Sequence, residues 1–154
     1  MKRAVFIDRD GVINKTDIRN GLPYAPTAFN DLEILPGVKE SIIKLKKLNF
    51  ICIVATNQPD VLRRKVKMEE VIKMHDYIKK EIDVDDILTC FHDDSDKCKC
   101  RKPKPGLLLD GSRKWNINLK ESYMIGDRWK DISAGVSAGC KTIFINNKYK
   151  ELTP

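Results

Sequence analysis

The sequence predicts an α/β fold in which a five-stranded parallel sheet lies between two layers of helices. Short apolar runs rich in Val, Ile and Phe alternate with segments of helical periodicity along the whole chain. That alternation marks strands buried on both faces and joined by crossover helices. The two stretches without periodicity, residues 11–35 and 90–104, follow such runs. They are placed at the carboxyl ends of strands, where open α/β sheets bind ligands.

The elements follow in order. Ala4-Val5-Phe6-Ile7 is the first strand. A helix spans Pro36 to Leu48, with Val38, Ile42, Ile43, Leu45 and Leu48 apolar and Pro36 in a tolerated first-turn position. Phe50 to Val54 is the second strand, and Met68 to Ile82 a helix with Val71, Met74, Ile78 and Ile82 on one stripe. Ile87-Leu88-Thr89 is a short third strand, followed by a helix from Pro105 to Trp115. Tyr123-Met124-Ile125 is the fourth strand. The helix Trp129 to Ala138 ends at Gly139, suited to a left-handed C′ position, and Thr142 to Ile145 is the last strand.

Composition narrows the classes. With 154 residues, 42% of them hydrophobic, the chain reads as one domain, residues 1–154, able to bury an ordinary core, which excludes disordered and collagen-like chains. No apolar run approaches the roughly 20 residues of a membrane helix. The acidic Asp8-Arg9-Asp10 arrives too early for a signal peptide, so a cytoplasmic protein without a membrane partner is expected. The net charge of +7 suits an anionic partner: a phosphorylated metabolite, nucleic acid or an acidic surface. The basic runs at 44–47 and 63–65 lie beside helical patterns and read as solvated faces.

Chemistry concentrates at the strand ends. The first strand runs into Asp8-Arg9-Asp10-Gly11 and the fourth into Gly126-Asp127-Arg128-Trp129-Lys130-Asp131. If these strands are neighbours, Asp8, Asp10 and Asp127 converge, and such carboxylates need a hard cation such as Mg²⁺ between them. An isolated Asp-x-Asp would as readily cap a turn. The second strand leads into Thr56-Asn57-Gln58, whose hydroxyl, amide and turn N–H groups can hold phosphate oxygens, and Arg101-Lys102 can neutralise the same phosphate. Four strand ends with phosphate or metal chemistry outweigh the capping reading.

Five cysteines cannot close a disulfide framework among themselves. Cys52, in an apolar run, and Cys140, beside a helix end, read as small buried residues. Cys90, His92, Cys98 and Cys100 supply three thiolates and an imidazole, the donor set of a closed, structural Zn²⁺ site.

Phe6-Ile7-Asp8-Arg9-Asp10-Gly11-Val12-Ile13-Asn14, Thr56-Asn57-Gln58, Cys100-Arg101-Lys102-Pro103 and Gly126-Asp127-Arg128 resemble, in order, the four motifs of haloacid dehalogenase (HAD) superfamily phosphatases. The resemblance runs from residue 6 to about 145. The zinc-ligand loop just before Arg-Lys-Pro is similar to that of the histidinol-phosphate/heptose-bisphosphate phosphatase branch. The run Gly126 to Ile132 resembles its heptose members.

The resemblance implies a Rossmann-like three-layer sandwich of the HAD type, without a cap domain. It implies that Asp8 is the nucleophile and Asp10 the general acid and base, its proton affinity raised by close neighbours. Mg²⁺ would be held by Asp8, the Asp10 carbonyl and Asp127. Thr56, Asn57 and Lys102 would bind phosphate and Arg101 the rest of the substrate. Asp131 would orient Lys102 or a metal-bound water, with Arg128 a further site residue. Residues 14–30 and the zinc loop would frame a small phosphorylated sugar, with Arg19 or Tyr24 in reach. Pro59 departs from the small residue frequent there.

The implied activity is hydrolysis of the 7-phosphate of a D-glycero-D-manno-heptose 1,7-bisphosphate, in nucleotide-activated heptose synthesis for lipopolysaccharide core or surface glycan. A monomer is expected. Histidinol phosphate is the alternative substrate. A zinc-containing nucleic-acid-binding module is the competing class, but it leaves the Asp motifs unexplained, and the 7% aromatic content provides no stacking pattern.

Overall fold

The computed structural model describes residues 1–154. Strands β1 (Arg3–Ile7), β4 (Phe50–Asn57), β5 (Asp86–Cys90), β6 (Tyr123–Gly126) and β7 (Lys141–Phe144) form a parallel sheet in the order β5-β4-β1-β6-β7. A separate antiparallel hairpin pairs β2 (Asp17–Arg19) with β3 (Leu22–Tyr24). The helices are α1 (Val38–Lys47), α2 (Met68–Ile82), α3 (Gly106–Trp115) and α4 (Trp129–Ala138). No helix is long and apolar enough to cross a membrane.

Side chains alternate along β1 and divide the core in two. Val5 and Ile7 join Cys52, Val54, Ile42, Ile78 and Ile82 beneath α1 and α2. Ala4 and Phe6 join Ile53, Ala55, Leu107, Leu108, Met124 and Cys140 on the opposite face, beneath α3. Helix α4 closes on β6 and β7 through Gly135, where a Cβ would stand 2.7 Å from both Met124 Cβ and Thr142 Cγ2. Cys52 and Cys140 are buried, as their apolar surroundings predict.

The structure departs from the sequence expectation in strand length, in a hairpin and in three short 3₁₀ turns, Phe29–Asp31, Asp94–Asp96 and Leu119–Glu121. Strand β4 continues through Thr56 and Asn57, and β5 reaches Cys90. The hairpin was not anticipated, because its strands are short, mostly exposed and interrupted by Pro23. Its local signal is Asn20-Gly21, both at positive φ (52° and 79°), as a two-residue hairpin turn requires.

The sheet order reverses direction beside β1: the chain moves outward through β4 and β5, then returns to β6 on the other side. Ile7 pairs with both Val54 and Ile125, so the carboxyl ends of β1, β4 and β6 lie level. A crevice opens at such a reversal, and Asp8 and Asp127 flank it.

Candidate active site

At the end of β1 the chain enters the turn Asp8-Arg9-Asp10-Gly11. Asp8 is buried, and its backbone N–H donates to the carbonyl of Ile125 on β6. Gly11 turns the chain at φ +88°, and a Cβ there would stand 1.9 Å from Asp127 Oδ2. Only glycine fits that approach.

Lys102 reaches the same place from the loop after β5. Its side chain is 2% exposed, and its ammonium lies 2.7 Å from Asp8 Oδ1, 2.7 Å from Asp131 Oδ1 and 2.7 Å from the Ala55 carbonyl. All three donors are therefore used. Burial works against its charge, but the attraction of Asp131 and Asp8 outweighs this and raises its proton affinity above that of an ordinary lysine. Asn57 holds the Lys102 backbone from both sides, its Nδ2 donating to the carbonyl at 3.1 Å and its Oδ1 accepting from the N–H at 3.1 Å. The Asn57 amide thus brackets Lys102 and also lines the cavity above Asp8.

The carboxylates that converge are Asp8, Asp127 and Asp131, whose oxygens lie within 4.8 Å of one another. Burial and then the charge of Asp131 push Asp8 well above the ordinary carboxylate range, against the pull of Lys102. Asp127 is raised chiefly by burial. Its Oδ2 accepts from Asn147 Nδ2 at 3.0 Å and from the Tyr149 hydroxyl, while Oδ1 is buried with no partner. Three converging carboxylates, one of them with a buried unpartnered oxygen, are a donor set suited to Mg²⁺.

The Asp10 carboxylate lies outside this trio, a correction to the expected convergence. Its Oδ1 accepts from Arg9 Nη2 at 2.8 Å and Asn14 Nδ2 at 3.0 Å, and its Oδ2 from Gln58 Nε2 at 2.8 Å. Burial favours its protonated form, but the Arg9 charge and these bonds win and hold it below the usual range. The expected raised proton affinity thus falls on Asp8, because the nearest charge to Asp10 is a fully buried guanidinium. Arg9 Nη1 in turn meets His75 Nε2 at 3.1 Å. Burial and then Arg9 depress His75 to about 4, which keeps its ring a neutral acceptor.

Cys90, His92, Cys98 and Cys100 converge within 4.8 Å. Three thiols and a ring nitrogen so placed fit a tetrahedral Zn²⁺. Burial raises Cys90 and Cys100, whereas for Cys98 the bonds from the Arg101 N–H and its neighbours outweigh burial and lower the thiol to about 7. The loop between is tied down by Arg63, which grips Asp93 through Nε and Nη2 at 2.7 and 2.6 Å, and by Arg101 Nε on Asp94 at 2.7 Å.

Above Asp8 lies a cavity of about 330 Å³. Its lining includes Arg19, Arg63, Lys65, Arg101, Lys102, Arg128 and Lys130 against Asp8, Asp10, Asp60 and Asp131. This excess of positive charge suits a substrate carrying more than one negative charge. Arg19 and Tyr24 both line it, with the guanidinium 4.9 Å from the ring centroid. Thr56 is buried beneath, its hydroxyl 2.9 Å from Gln58 Nε2, and Arg128 pairs with Glu151.

A family model for haloacid dehalogenase-like hydrolases matches residues 16–139. The chain belongs to that family. This hydrolase is 34% identical to the D-glycero-alpha-D-manno-heptose-1,7-bisphosphate 7-phosphatase of Campylobacter jejuni, over 97% of this chain and 85% of the relative. It is 32% identical to the beta-anomer enzyme of Escherichia coli K12, over 98% and 82%. Among solved structures, the D,D-heptose 1,7-bisphosphate phosphatase of B. bronchiseptica, complexed with magnesium and phosphate, superposes with a TM-score of 0.80 at 28% identity. That match covers 91% of this chain and 78% of the other. The hydrolase is accordingly a phosphatase of HAD-like, cap-less architecture, and its family uses Mg²⁺.

Sequence reasoning missed Arg9, Asn14, Gln58 and His75 around Asp10, and Asn147 and Tyr149 around Asp127. Arg9, Asn14 and Gln58 lie inside the quoted motifs, but nothing in those motifs shows that all three gather on the Asp10 carboxylate. His75 adjoins the apolar stripe of α2. Nothing local marks Asn147 or Tyr149, whose contacts come from tertiary folding alone.

Proposed function

We propose that this hydrolase removes the 7-phosphate from a D-glycero-D-manno-heptose 1,7-bisphosphate. The observation that carries the reading is the Asp8–Lys102–Asp131 cluster at the floor of a cationic cavity; the named relatives supply the sugar. Asp8 attacks phosphorus, the bond from phosphorus to the sugar oxygen breaks, and an aspartyl-phosphate forms on Asp8. Asp10 gives a proton to the departing alkoxide, then takes one from the water that releases inorganic phosphate. The incoming phosphate sets negative charge beside Asp10 and draws that proton onto it. Lys102 neutralises the transferring group from a fixed position, and Thr56 completes its cradle.

Asp8 and Asp127, with the Asp10 carbonyl, would hold Mg²⁺, and Asp131 stands beside them. When bound, the ion polarises the phosphoryl group and shields the carboxylates from one another. The four Cys/His donors would hold a structural Zn²⁺ that fixes Arg101 and Lys102. Residues 1–154 act as one domain in this reading, with a phosphorylated sugar as the partner.

Phosphate release from both heptose 1,7-bisphosphate anomers, with L-histidinol phosphate alongside, tests the proposal. Preference for a heptose anomer supports it, and preference for histidinol phosphate overturns the sugar assignment. Asp8→Asn should abolish turnover with every substrate; undiminished activity would refute the nucleophile.

A further inference from the structure

Beyond β7 the chain does not leave the body of the protein but crosses the metal ligand. Asp127 is asymmetric: Oδ1 is buried without a partner, while Oδ2 receives the Tyr149 hydroxyl at 2.5 Å and Asn147 Nδ2 at 3.0 Å. Asn147 Nδ2 also lies 3.1 Å from the Gly11 carbonyl and 3.2 Å from the Tyr149 oxygen. One amide thus ties the turn after β1 to the turn after β6.

The segment is anchored at both ends. The Ile145 N–H donates to Gly126 at 2.8 Å, and the Lys150 N–H donates to Gly21 in the hairpin turn at 2.8 Å. Glu151 takes Arg128 through Nε at 3.0 Å. The space is filled, since a Cβ on Gly21 would stand 2.5 Å from Lys150 Cγ.

We propose that residues 145–151 form a strap that positions a metal ligand, with Tyr149 and Asn147 holding Asp127 so that it offers one oxygen only. The inference rests on the reading of Asp127 as an Mg²⁺ ligand. Both donors occupy Oδ2, which leaves Oδ1 to face the ion. Mg²⁺ demands near-ideal octahedral geometry and tolerates a swinging or bidentate carboxylate poorly. Partners that orient a ligand therefore set affinity, and their loss typically weakens metal binding about 10-fold or more. Tyr149 and Asn147 touch no reacting atom, so they are positioning residues that govern how tightly the ion is held.

The test is calorimetric titration of Mg²⁺ into the full chain and its Tyr149→Phe, Asn147→Ala and Asp127→Asn variants. Melting in chelator and turnover across magnesium concentration complete it. Tyr149→Phe and Asn147→Ala should each weaken Mg²⁺ about 10-fold. Excess magnesium should restore turnover, and melting in chelator separates lost affinity from the stability cost of the deleted hydrogen bonds. Asp127→Asn should abolish binding. Wild-type affinity in both strap variants, with binding lost in Asp127→Asn, overturns the strap alone. Wild-type affinity in all three overturns the metal reading and the strap with it. A turnover defect in Tyr149→Phe that excess magnesium does not restore overturns the positioning role.

Discussion

Replacing Lys102 by methionine removes a cation while keeping much of the side chain's volume. In the native site that cation is the common partner of Asp8, Asp131 and the Ala55 carbonyl. Lys102→Met would leave two carboxylates facing each other at a position only 2% exposed, with Asp127 close by. Breaking a buried pair by deleting one partner costs about 3–5 kcal/mol. In a chain of this size each kcal/mol shifts melting by roughly 2–4 °C, so the midpoint should fall by about 10 °C. Urea denaturation in chelator measures the loss without interference from metal.

The pH dependence gives the sharper test. Asp8 already sits above its ordinary range, and losing Lys102 pushes it further up. A carboxyl whose affinity is raised on folding binds protons that the unfolded chain does not. Its stability contribution therefore declines as pH rises through that range. The deficit of Lys102→Met should be largest in alkaline buffer and shrink in acid. A variant as stable as wild type in alkaline buffer, or a deficit independent of pH, would refute the reasoning.

Other outcomes follow from the same geometry. A colorimetric metal assay should find one zinc ion per chain, and its removal by a chelator, with magnesium then restored in excess, should abolish turnover, since Arg101 and Lys102 directly follow Cys100. Gly11→Ala should lose activity and stability together, by about 1–3 kcal/mol from the left-handed backbone alone, because its Cβ would displace Asp127. His75, depressed from 6.5 to about 4, stays neutral in the fold while the unfolded chain protonates. Wild-type stability should be full above the unfolded value and fall by about 3 kcal/mol as pH drops through the folded one. His75→Gln should erase that part of the acid sensitivity in urea titrations at stepped pH.

The sheet and its helices were legible because burial on both faces writes itself as unbroken apolar runs, as in Val5 to Ile7 and Cys52 to Ala55. The carboxylates, Thr56, Lys102 and the Cys/His cluster were legible because each stands at a strand end or in tight local spacing. Partnership was not. Whether Asp10 faces the metal or Arg9, and whether Asn57 holds phosphate or the Lys102 backbone, depends on side-chain orientation that no local pattern encodes. Asp131 was assigned to Lys102 or a metal-bound water, and it both pairs with Lys102 at 2.7 Å and stands with Asp8 and Asp127. Tyr149 lies 22 residues from Asp127, and nothing in the intervening sequence announces their contact.

The crossing of Asp127 by residues 145–151 separates two events in the order of synthesis. Every strand of the parallel sheet is present once Phe144 has been added, yet the hydroxyl that fixes Asp127 arrives only with Tyr149. A chain stopped between those residues would hold a complete sheet and all three converging carboxylates while lacking the clasp on one of them. Under the strap proposal, a cut or a fusion between Phe144 and Tyr149 should be read out in magnesium demand before it is read out in folding.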